Sequence, residues 1–295
     1  MNSMTITEEI ERFAFHQRPL FVVGMERSGT SILTKIIGRE PKFEGVSYDS
    51  ETFVFRKDSD FFDQPIDMTT NYIGGSSAWE DFEKWFPSID NWPGGWSAKK
   101  CFVLSYFFWA HKNLKFKNII EKTPSHVYHV DEIFEFFPQA KIIGIVRHPF
   151  TVITSFQKRL AREKEAGKPA ESWGWLDRTP EQVCERCKHA YEAITQMTEK
   201  YEFNSALISY EQLTTEPELT LAQISSFLNL DVIKVGFSDE SQEANANSNG
   251  VDPLLEMENL VIGRQATSEL PLETKLHLTK KFPDFIRKFT NSRFP

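Results

Sequence analysis

The chain of 295 residues is long enough for one large domain or two small ones, and its 40% hydrophobic and 14% aromatic content is ample for a buried core. A formal net charge of −8, with only short basic pairs such as 99–100 and 280–281 that we interpret as solvated, argues against nucleic acid or another polyanion as a partner. The sequence has no long apolar run, no N-terminal basic segment followed by an apolar one, and three cysteines. We therefore expect no membrane span, no secretory signal, no disulfide framework and a cytoplasmic location.

The first informative segment is residues 20–37, LFVVGMERSGTSILTKII. An apolar run predicts a buried strand, a glycine-containing turn follows, and apolar residues then recur at the spacing of a helix. A strand, a tight loop and a helix N-terminus direct backbone N–H groups to one point and so form a cradle for an anion. Glycines let the backbone approach closely, and charged or hydroxyl side chains add donors; these residues are Gly24, Gly29, Arg27, Ser28, Thr30 and Ser31.

The cation in this loop is at an unusual position for a nucleoside triphosphate site. A triphosphatase loop has Lys directly after its second glycine, where this chain has Thr30. The loop cation is instead Arg27, two residues before Gly29. We interpret this as a grip for a single 5′-phosphate or its bridging oxygen, which disfavours a kinase.

Residues 72–109 are rich in aromatic side chains, with four Trp between 79 and 96. Most of these rings are expected to fill the core, but at least one is predicted to line a pocket for a small ligand, with Trp96 as a candidate. A polar connection over residues 161–179 contains Trp173 as a second candidate wall and is predicted to be a mobile lid loop. Residues 238–250 are predicted to be another loop.

A second anion site is predicted within residues 120–159. Thr123 and Pro124 resemble a helix start, and an apolar run over 142–146 predicts a strand that leads into Arg147. A helix is expected from about Pro149, with Ser155 and Arg159 four residues apart on one face. Two phosphate grips at the carboxyl end of a parallel sheet suggest a nucleotide phosphorylated on both its 5′ and 3′ sides.

Cys184 and Cys187 form a C-x-x-C pair in a helix that a capping box at Thr179 is predicted to open. We expect a core role for both thiols, because no second pair stands nearby and the sequence has no histidine cluster with metal-ligand spacing. No metal is expected in the site.

Several of these segments together resemble sulfotransferases that use 3′-phosphoadenosine 5′-phosphosulfate (PAPS). The loop GMERSGTS resembles their 5′-phosphosulfate loop, and VRHPFTVITSFQKR resembles their 3′-phosphate site, which assigns that role to Arg147, Ser155 and Arg159. EKTPSHVYHV is similar to the Lys-bearing segment of the heparan-type and tyrosylprotein-type branch. The resemblance also places Tyr210 near the adenine, and Gly263 and Arg264 in a C-terminal loop over the nucleotide. Glu26 beside Arg27, and Gln265 in that loop, depart from the family pattern.

The resemblance implies a single α/β domain over residues 1–295, in three layers, with a central parallel sheet, helices on both faces and a relationship to P-loop kinases. It implies Arg27 and Lys122 as the cations that stabilise the leaving phosphate, and Glu51 as the base. Asp49 and His126 remain alternatives to Glu51 or contributors to acceptor binding. We expect transfer to a hydroxyl or amine of a small neutral or cationic acceptor. A nucleoside or nucleotide kinase and a non-catalytic nucleotide-binding module remain the alternatives.

Overall fold

The computed structural model describes residues 4–38, 40, 43, 51–55, 75–89, 92–114, 118–231, 233 and 268–290. Four parallel strands form one sheet in the order β2-β1-β3-β4: β1 (Leu20–Gly24), β2 (Ile120–Lys122), β3 (Lys141–Val146) and β4 (Ser205–Ser209). The register pairs Val22 with both Lys122 and Ile143. The chain thus reverses its direction of travel across the sheet beside β1, which in α/β folds opens a crevice for ligands.

Helices cover both faces of this sheet. Their bounds are α1 (Ile6–His16), α2 (Thr30–Ile37), α3 (Gly75–Trp85), α4 (Ala98–Asn113), α5 (Val130–Phe136), α6 (Pro149–Glu165), α7 (Ala170–Trp173), α8 (Pro180–Lys200), α9 (Tyr210–Thr215), α10 (Pro217–Leu228), α11 (Leu272–Lys281) and α12 (Pro283–Thr290). None of the helices in the described ranges is long and apolar enough to cross a membrane.

The two faces of the sheet carry separate apolar clusters because successive strand side chains alternate. Leu20, Val22 and Ile143 pack with α2 and α10, whereas Phe21 and Val23 join the larger cluster that includes α1, α4, α6 and α8. The predicted three-layer α/β fold with a parallel sheet is confirmed. The strands predicted at the start of residues 20–37 and over 142–146 are β1 and β3, and the helix expected from Pro149 is α6.

Two predictions about elements need correction. The helix expected after Thr123 is divided into a 3-10 turn, Pro124–Tyr128, and α5, because His129 between them has non-helical backbone angles. The prediction of a mobile lid loop over 161–179 was wrong, because much of this segment is helical. Helix α6 continues to Glu165, and α7 and the 3-10 turn Gly174–Leu176 follow it. This segment is pinned to α6, because Trp175 packs on Phe156 with ring centroids 5.7 Å apart. The predicted loop 238–250 lies outside the described residues.

The aromatic segment serves mainly as core, as expected for most of its rings. Phe82, Tyr106 and Phe107 are each 1% exposed and belong to the larger cluster, and the tryptophans of α3 and its flank pack partly buried against it. Lys99, which we had interpreted as solvated, is also buried. Its ammonium lies 2.7 and 2.8 Å from the two Glu132 carboxylate oxygens, so its charge is compensated inside the protein.

Gly144 interrupts the apolar run of β3 because α8 passes directly over it. A Cβ at this position would lie 2.5 Å from Ile194 Cγ2. We expect Gly144→Ala to lower the free energy of unfolding by about 1–3 kcal/mol, the usual cost of overpacking. Chemical denaturation measures this. Gly94→Ala is the control, because nothing lies within 4 Å of its Cβ position; equal losses in both variants would contradict the packing explanation.

Candidate active site

All four strands end at the same edge of the sheet, and each end leads into a residue predicted to bind or react. β2 ends with Lys122, β1 leads into the loop that holds Arg27, β3 is followed by Arg147, and β4 by Tyr210. Parallel pairing places these four chain positions side by side, although up to 183 residues separate them in the sequence, from 27 to 210. The edge therefore gathers three cations and one aromatic ring.

The loop after β1 has the geometry of an anion cradle. Gly29 is the residue before α2 and has a φ of 105°, a conformation that favours glycine, and it has no side chain to cap the helix. A Cβ there would lie 2.5 Å from the Tyr210 ring. The Ser28 hydroxyl is buried and donates to the Met25 carbonyl at 2.6 Å, so it shapes the loop. Thr30 is also buried, and Ser31 is half-buried in the first turn of α2.

One group of side chains in mutual contact, which we call the arginine cluster, consists of Arg27, Arg147, Ser155 and Tyr210. Arg27 Nε donates to Ser155 Oγ at 3.1 Å, and Arg147 Nη1 donates to the Arg27 carbonyl oxygen at 3.1 Å. The Arg147 guanidinium lies 4.0 Å from the centroid of the Tyr210 ring, in cation–π contact. The two phosphate grips predicted separately from the sequence are thus in contact with each other.

Arg159 is not part of this cluster. It lies one turn beyond Ser155 on α6, is about 40% exposed, and forms an ion pair with Glu163. Glu163 also holds Lys168, at 2.7 Å. Gly263 and Arg264 lie outside the described residues, as does Asp49.

Lys122 and Glu51 form an ion pair with Nζ and Oε1 2.9 Å apart. Lys122 is the last residue of β2, directly before the helix start that the sequence predicts at Thr123 and Pro124. Its side chain is only 2% exposed, whereas Glu51 is 31% exposed. The structure therefore brings the predicted base and one predicted cation together across 71 residues of sequence.

Glu121, the neighbour of Lys122, faces the opposite side of the strand and is buried. Its carboxylate accepts hydrogen bonds from Thr52 and Thr123 and lies 2.8 Å from His126 Nδ1. Burial alone would raise the pKa of the Glu121 carboxyl, but the facing imidazole and these hydrogen bonds outweigh burial and hold the pKa below its ordinary value.

His126 is buried, and both of its ring nitrogens have partners inside the protein. Nδ1 faces Glu121, and Nε2 accepts from the Phe55 amide at 3.4 Å. This geometry does not favour His126 as the base or as an acceptor-binding residue.

The two candidate wall residues have packing partners of their own. Trp96 lies 5.9 Å from Trp92 between ring centroids, and the indole of Trp173 donates to the Lys168 carbonyl at 2.9 Å. These contacts do not connect either ring to the Lys122–Glu51 pair.

Arg186 explains how an acidic residue is tolerated in the anion loop. Its Nη2 lies 2.6 Å from Glu26 Oε1, so an arginine of α8 compensates the carboxylate beside Arg27. Sequence reasoning had singled out Glu26 but had missed Arg186, which lies 160 residues away within the C-x-x-C pair of α8.

The cysteines have the predicted core role. Cys184 and Cys187 are buried in α8, and burial raises the pKa of Cys184 to about 12 and that of Cys187 well above its ordinary value. Both thiols are therefore held neutral. In the described part of the chain, no three His, Cys, Asp or Glu side chains are grouped so as to hold a metal ion.

Comparison with known proteins agrees with the fold. A sequence profile of the sulfotransferase family matches residues 19–234, more than half of the chain, and the chain therefore belongs to that family. No curated protein sequence gives a significant match.

Solved structures similar to this one are sulfotransferases. The sulfotransferase domain of the Synechococcus PCC 7002 olefin synthase has a TM-score of 0.60 at 18% identity, over 95% of this chain and 98% of that domain. The sulfotransferase domain from the curacin biosynthetic pathway has a TM-score of 0.53 at 17% identity, over 91% and 98%. Mouse sulfotransferase SULT7A1, complexed with PAP, has a TM-score of 0.50 at 16% identity, over 97% and 90%. At these identities the likeness concerns the fold.

His148, next to Arg147, gives a prediction about pH. It caps α6 by accepting from the Phe150 amide, and burial, followed by the nearby Lys275 charge, lowers its pKa from 6.5 to about 4. A depressed folded-state pKa contributes stability above pH 6.5 that is lost as the pH falls toward 4. We expect denaturation to show a loss of about 2–3 kcal/mol over that range from this residue.

The matched variants are His148→Asn, which keeps an acceptor for the cap but does not titrate, and His189→Asn at an exposed position of α8. The first should be less acid-sensitive than the wild type, and the second should follow the wild type. An unchanged pH slope in His148→Asn would assign the acid sensitivity to other groups.

Proposed function

We propose that the protein transfers a sulfuryl group from PAPS to a hydroxyl or amine of a small neutral or cationic acceptor. The observation that carries this proposal is the Lys122–Glu51 pair, at 2.9 Å, at the strand end next to the anion loop. A carboxylate and a buried ammonium beside a phosphate cradle supply the proton acceptor and the charge stabilisation that group transfer needs.

The residues of the cradle fit a nucleotide with two phosphate groups. Helix α2 has an N-terminus without a side-chain cap, and Arg27 stands in the loop before it, which suits the 5′ side. Arg147 and Ser155 suit the 3′-phosphate, and Tyr210 supplies a flat ring next to them. Arg159 would join them only by leaving Glu163. Gly263 and Arg264 belong to this proposal through the family resemblance alone.

When bound, PAPS supplies the sulfuryl group on its 5′-phosphate. Glu51 takes the proton of an acceptor hydroxyl as the new S–O bond forms. Lys122 and Arg27 stabilise the electron pair left on the 5′-phosphate oxygen as the old S–O bond breaks, an interaction that strengthens in the transition state. An acceptor amine in its neutral form would attack with its own lone pair and release its proton afterwards.

The charge of the chain supports the choice of acceptor. The net charge is −8, and the cations at the sheet edge are those expected for the nucleotide. A polyanionic acceptor would need an additional basic groove. Trp96, Trp173 and Asp49 remain candidates for acceptor binding on sequence grounds.

The assignment of the 3′-phosphate can be tested by titration calorimetry. Arg147→Ala should weaken binding of 3′-phosphoadenosine 5′-phosphate by about 1.5–3 kcal/mol, the value of a charge-assisted contact, with little effect on adenosine 5′-phosphate. Arg162→Ala, which removes a cation farther along α6, is the control. Equal weakening of both nucleotides would remove the assigned role, and tighter binding of ATP by the wild type would favour a kinase.

Sulfuryl transfer itself can be tested with ³⁵S-labelled PAPS and three acceptor probes: 2-naphthol, tyramine and benzylamine. We expect transfer to at least one probe. For a hydroxyl acceptor, Glu51→Gln should lower the single-turnover rate by about 100-fold or more while nucleotide affinity is retained. Lys122→Ala should lower the same rate more than it weakens nucleotide binding, because charge develops on the leaving oxygen only as the bond breaks.

Two outcomes would contradict parts of this proposal. Nucleotide binding without transfer to any probe would favour a non-catalytic binding module. Full activity of Glu51→Gln toward a hydroxyl acceptor would remove Glu51 as the base and return attention to Asp49.

A further inference from the structure

The buried side of β2 carries a hydrogen-bonded network centred on Glu121. Glu121 Oε1 accepts from Thr52 Oγ1 at 2.7 Å and from Thr123 Oγ1 at 2.6 Å. Its Oε2 lies 2.8 Å from His126 Nδ1. All four residues of this network are at most 3% exposed. A buried carboxylate with every partner in place stabilises one arrangement of its neighbours, since any change leaves a charge without compensation.

The network holds the short segment 51–55 against β2. Thr52 is bonded directly to Glu121, the Phe53 amide donates to Thr123 Oγ1 at 3.4 Å, and the Phe55 amide donates to His126 Nε2 at 3.4 Å. Three attachments, at residues 52, 53 and 55, therefore lead back to one carboxylate. Glu51 directly precedes Thr52, and its carboxylate is paired with Lys122.

The backbone of this segment is strained where the network grips it. Phe53 has a φ of 51°, in the left-handed region that a side chain of this size rarely adopts. Such a conformation costs of order 1–3 kcal/mol and persists only where its surroundings fix it. The bonds at Thr52 and at the Phe55 amide lie on either side of this position, and the Phe53 amide is itself bonded to Thr123.

The direction of the hydrogen bonds also indicates which ring nitrogen of His126 carries the proton. Because Nε2 accepts from the Phe55 amide, the ring proton is on Nδ1 and is donated to Glu121. An amide in place of the Glu121 carboxylate has one acceptor oxygen where the carboxylate has two, so it could not accept from Thr52, Thr123 and His126 Nδ1 at once.

We infer that Glu121 is a positioning residue that, through Thr52, fixes the Glu51 carboxylate beside Lys122 for proton transfer. This inference rests on the proposed function of Glu51. Glu121 itself is only 1% exposed and is bonded to Thr52, Thr123 and His126. Its action on the reaction is through Thr52 and the backbone, and misplacement of a reacting group by about 1 Å can reduce a rate by about 100-fold.

The test removes one hydroxyl from the network. Thr52→Val deletes the donor to Glu121 with little change in shape, and Thr52→Ser keeps it as the matched control. We expect Thr52→Val to lower the single-turnover transfer rate by about 10-fold or more, with the affinity for 3′-phosphoadenosine 5′-phosphate within about twofold of the wild type, and Thr52→Ser to restore the rate. Hydrogen exchange at the Phe53 and Phe55 amides should be faster in Thr52→Val than in Thr52→Ser.

A double-variant cycle separates positioning from a general loss of stability. In the Glu51→Gln background, adding Thr52→Val should change the transfer rate by less than about twofold, because the group that it positions has been removed. An equal loss in both backgrounds, or unchanged amide exchange in Thr52→Val, would overturn the inference. If the wild type transfers label to none of the probes, the proposed function fails, while faster exchange in Thr52→Val alone would still show that the network holds the segment of Glu51.

Discussion

Parallel pairing of β1 with both of its neighbours is the constraint from which the candidate site follows. Val22 is in register with Lys122 on one side and with Ile143 on the other, so the three strands run in one direction and end at the same edge of the sheet. Lys122, Arg147 and Tyr210 then lie at or directly after a strand end, and Arg27 lies three residues beyond β1. Gly144 is part of the same constraint, since α8 approaches closely enough for Ile194 to occupy the space of a β3 side chain.

Acidic side chains at this edge of the sheet form ion pairs with nearby basic side chains. The chain is acidic overall, yet two acidic side chains of the candidate site each have a local cation: Glu26 has Arg186, and Glu51 has Lys122. This arrangement explains how a family member with Glu in the loop can keep a phosphate site, which the sequence alone left as a departure from the pattern.

Local patterns were enough to predict much of the fold. The strand–loop–helix unit of β1 and α2, the capping box of α8 and the start of α6 at Pro149 depend on contiguous residues, and the structure has each of them. The lid prediction failed because the polar composition of 161–179 does not reveal its short helices. Contacts with α6 hold these helices in place, from Lys168 to Glu163 and from Trp175 to Phe156. Arg159 was assigned to the second anion site from its spacing with Ser155, but the same helix offers it Glu163 four residues further on, and the structure has that pair.

Long-range partnerships account for what the sequence could not predict about the site. Glu51 and Lys122 were predicted only because a family resemblance marks both positions. No local pattern pairs Glu121 with Thr52, and their bond spans 69 residues; Arg186 and Glu26 are 160 apart. Hydroxyl and carboxylate side chains in such places are indistinguishable from surface residues until the strands are assembled.

The internal contacts of the arginine cluster affect how an anion would bind. Arg27 already donates to Ser155, and Arg147 is held between the Arg27 carbonyl and the Tyr210 ring. These side chains therefore lose less conformational freedom on binding than exposed arginines would, and this favours affinity. The bond from Arg27 to Ser155 also connects the two anion sites predicted from the sequence, so an anion that draws either side chain toward itself changes the position of the other.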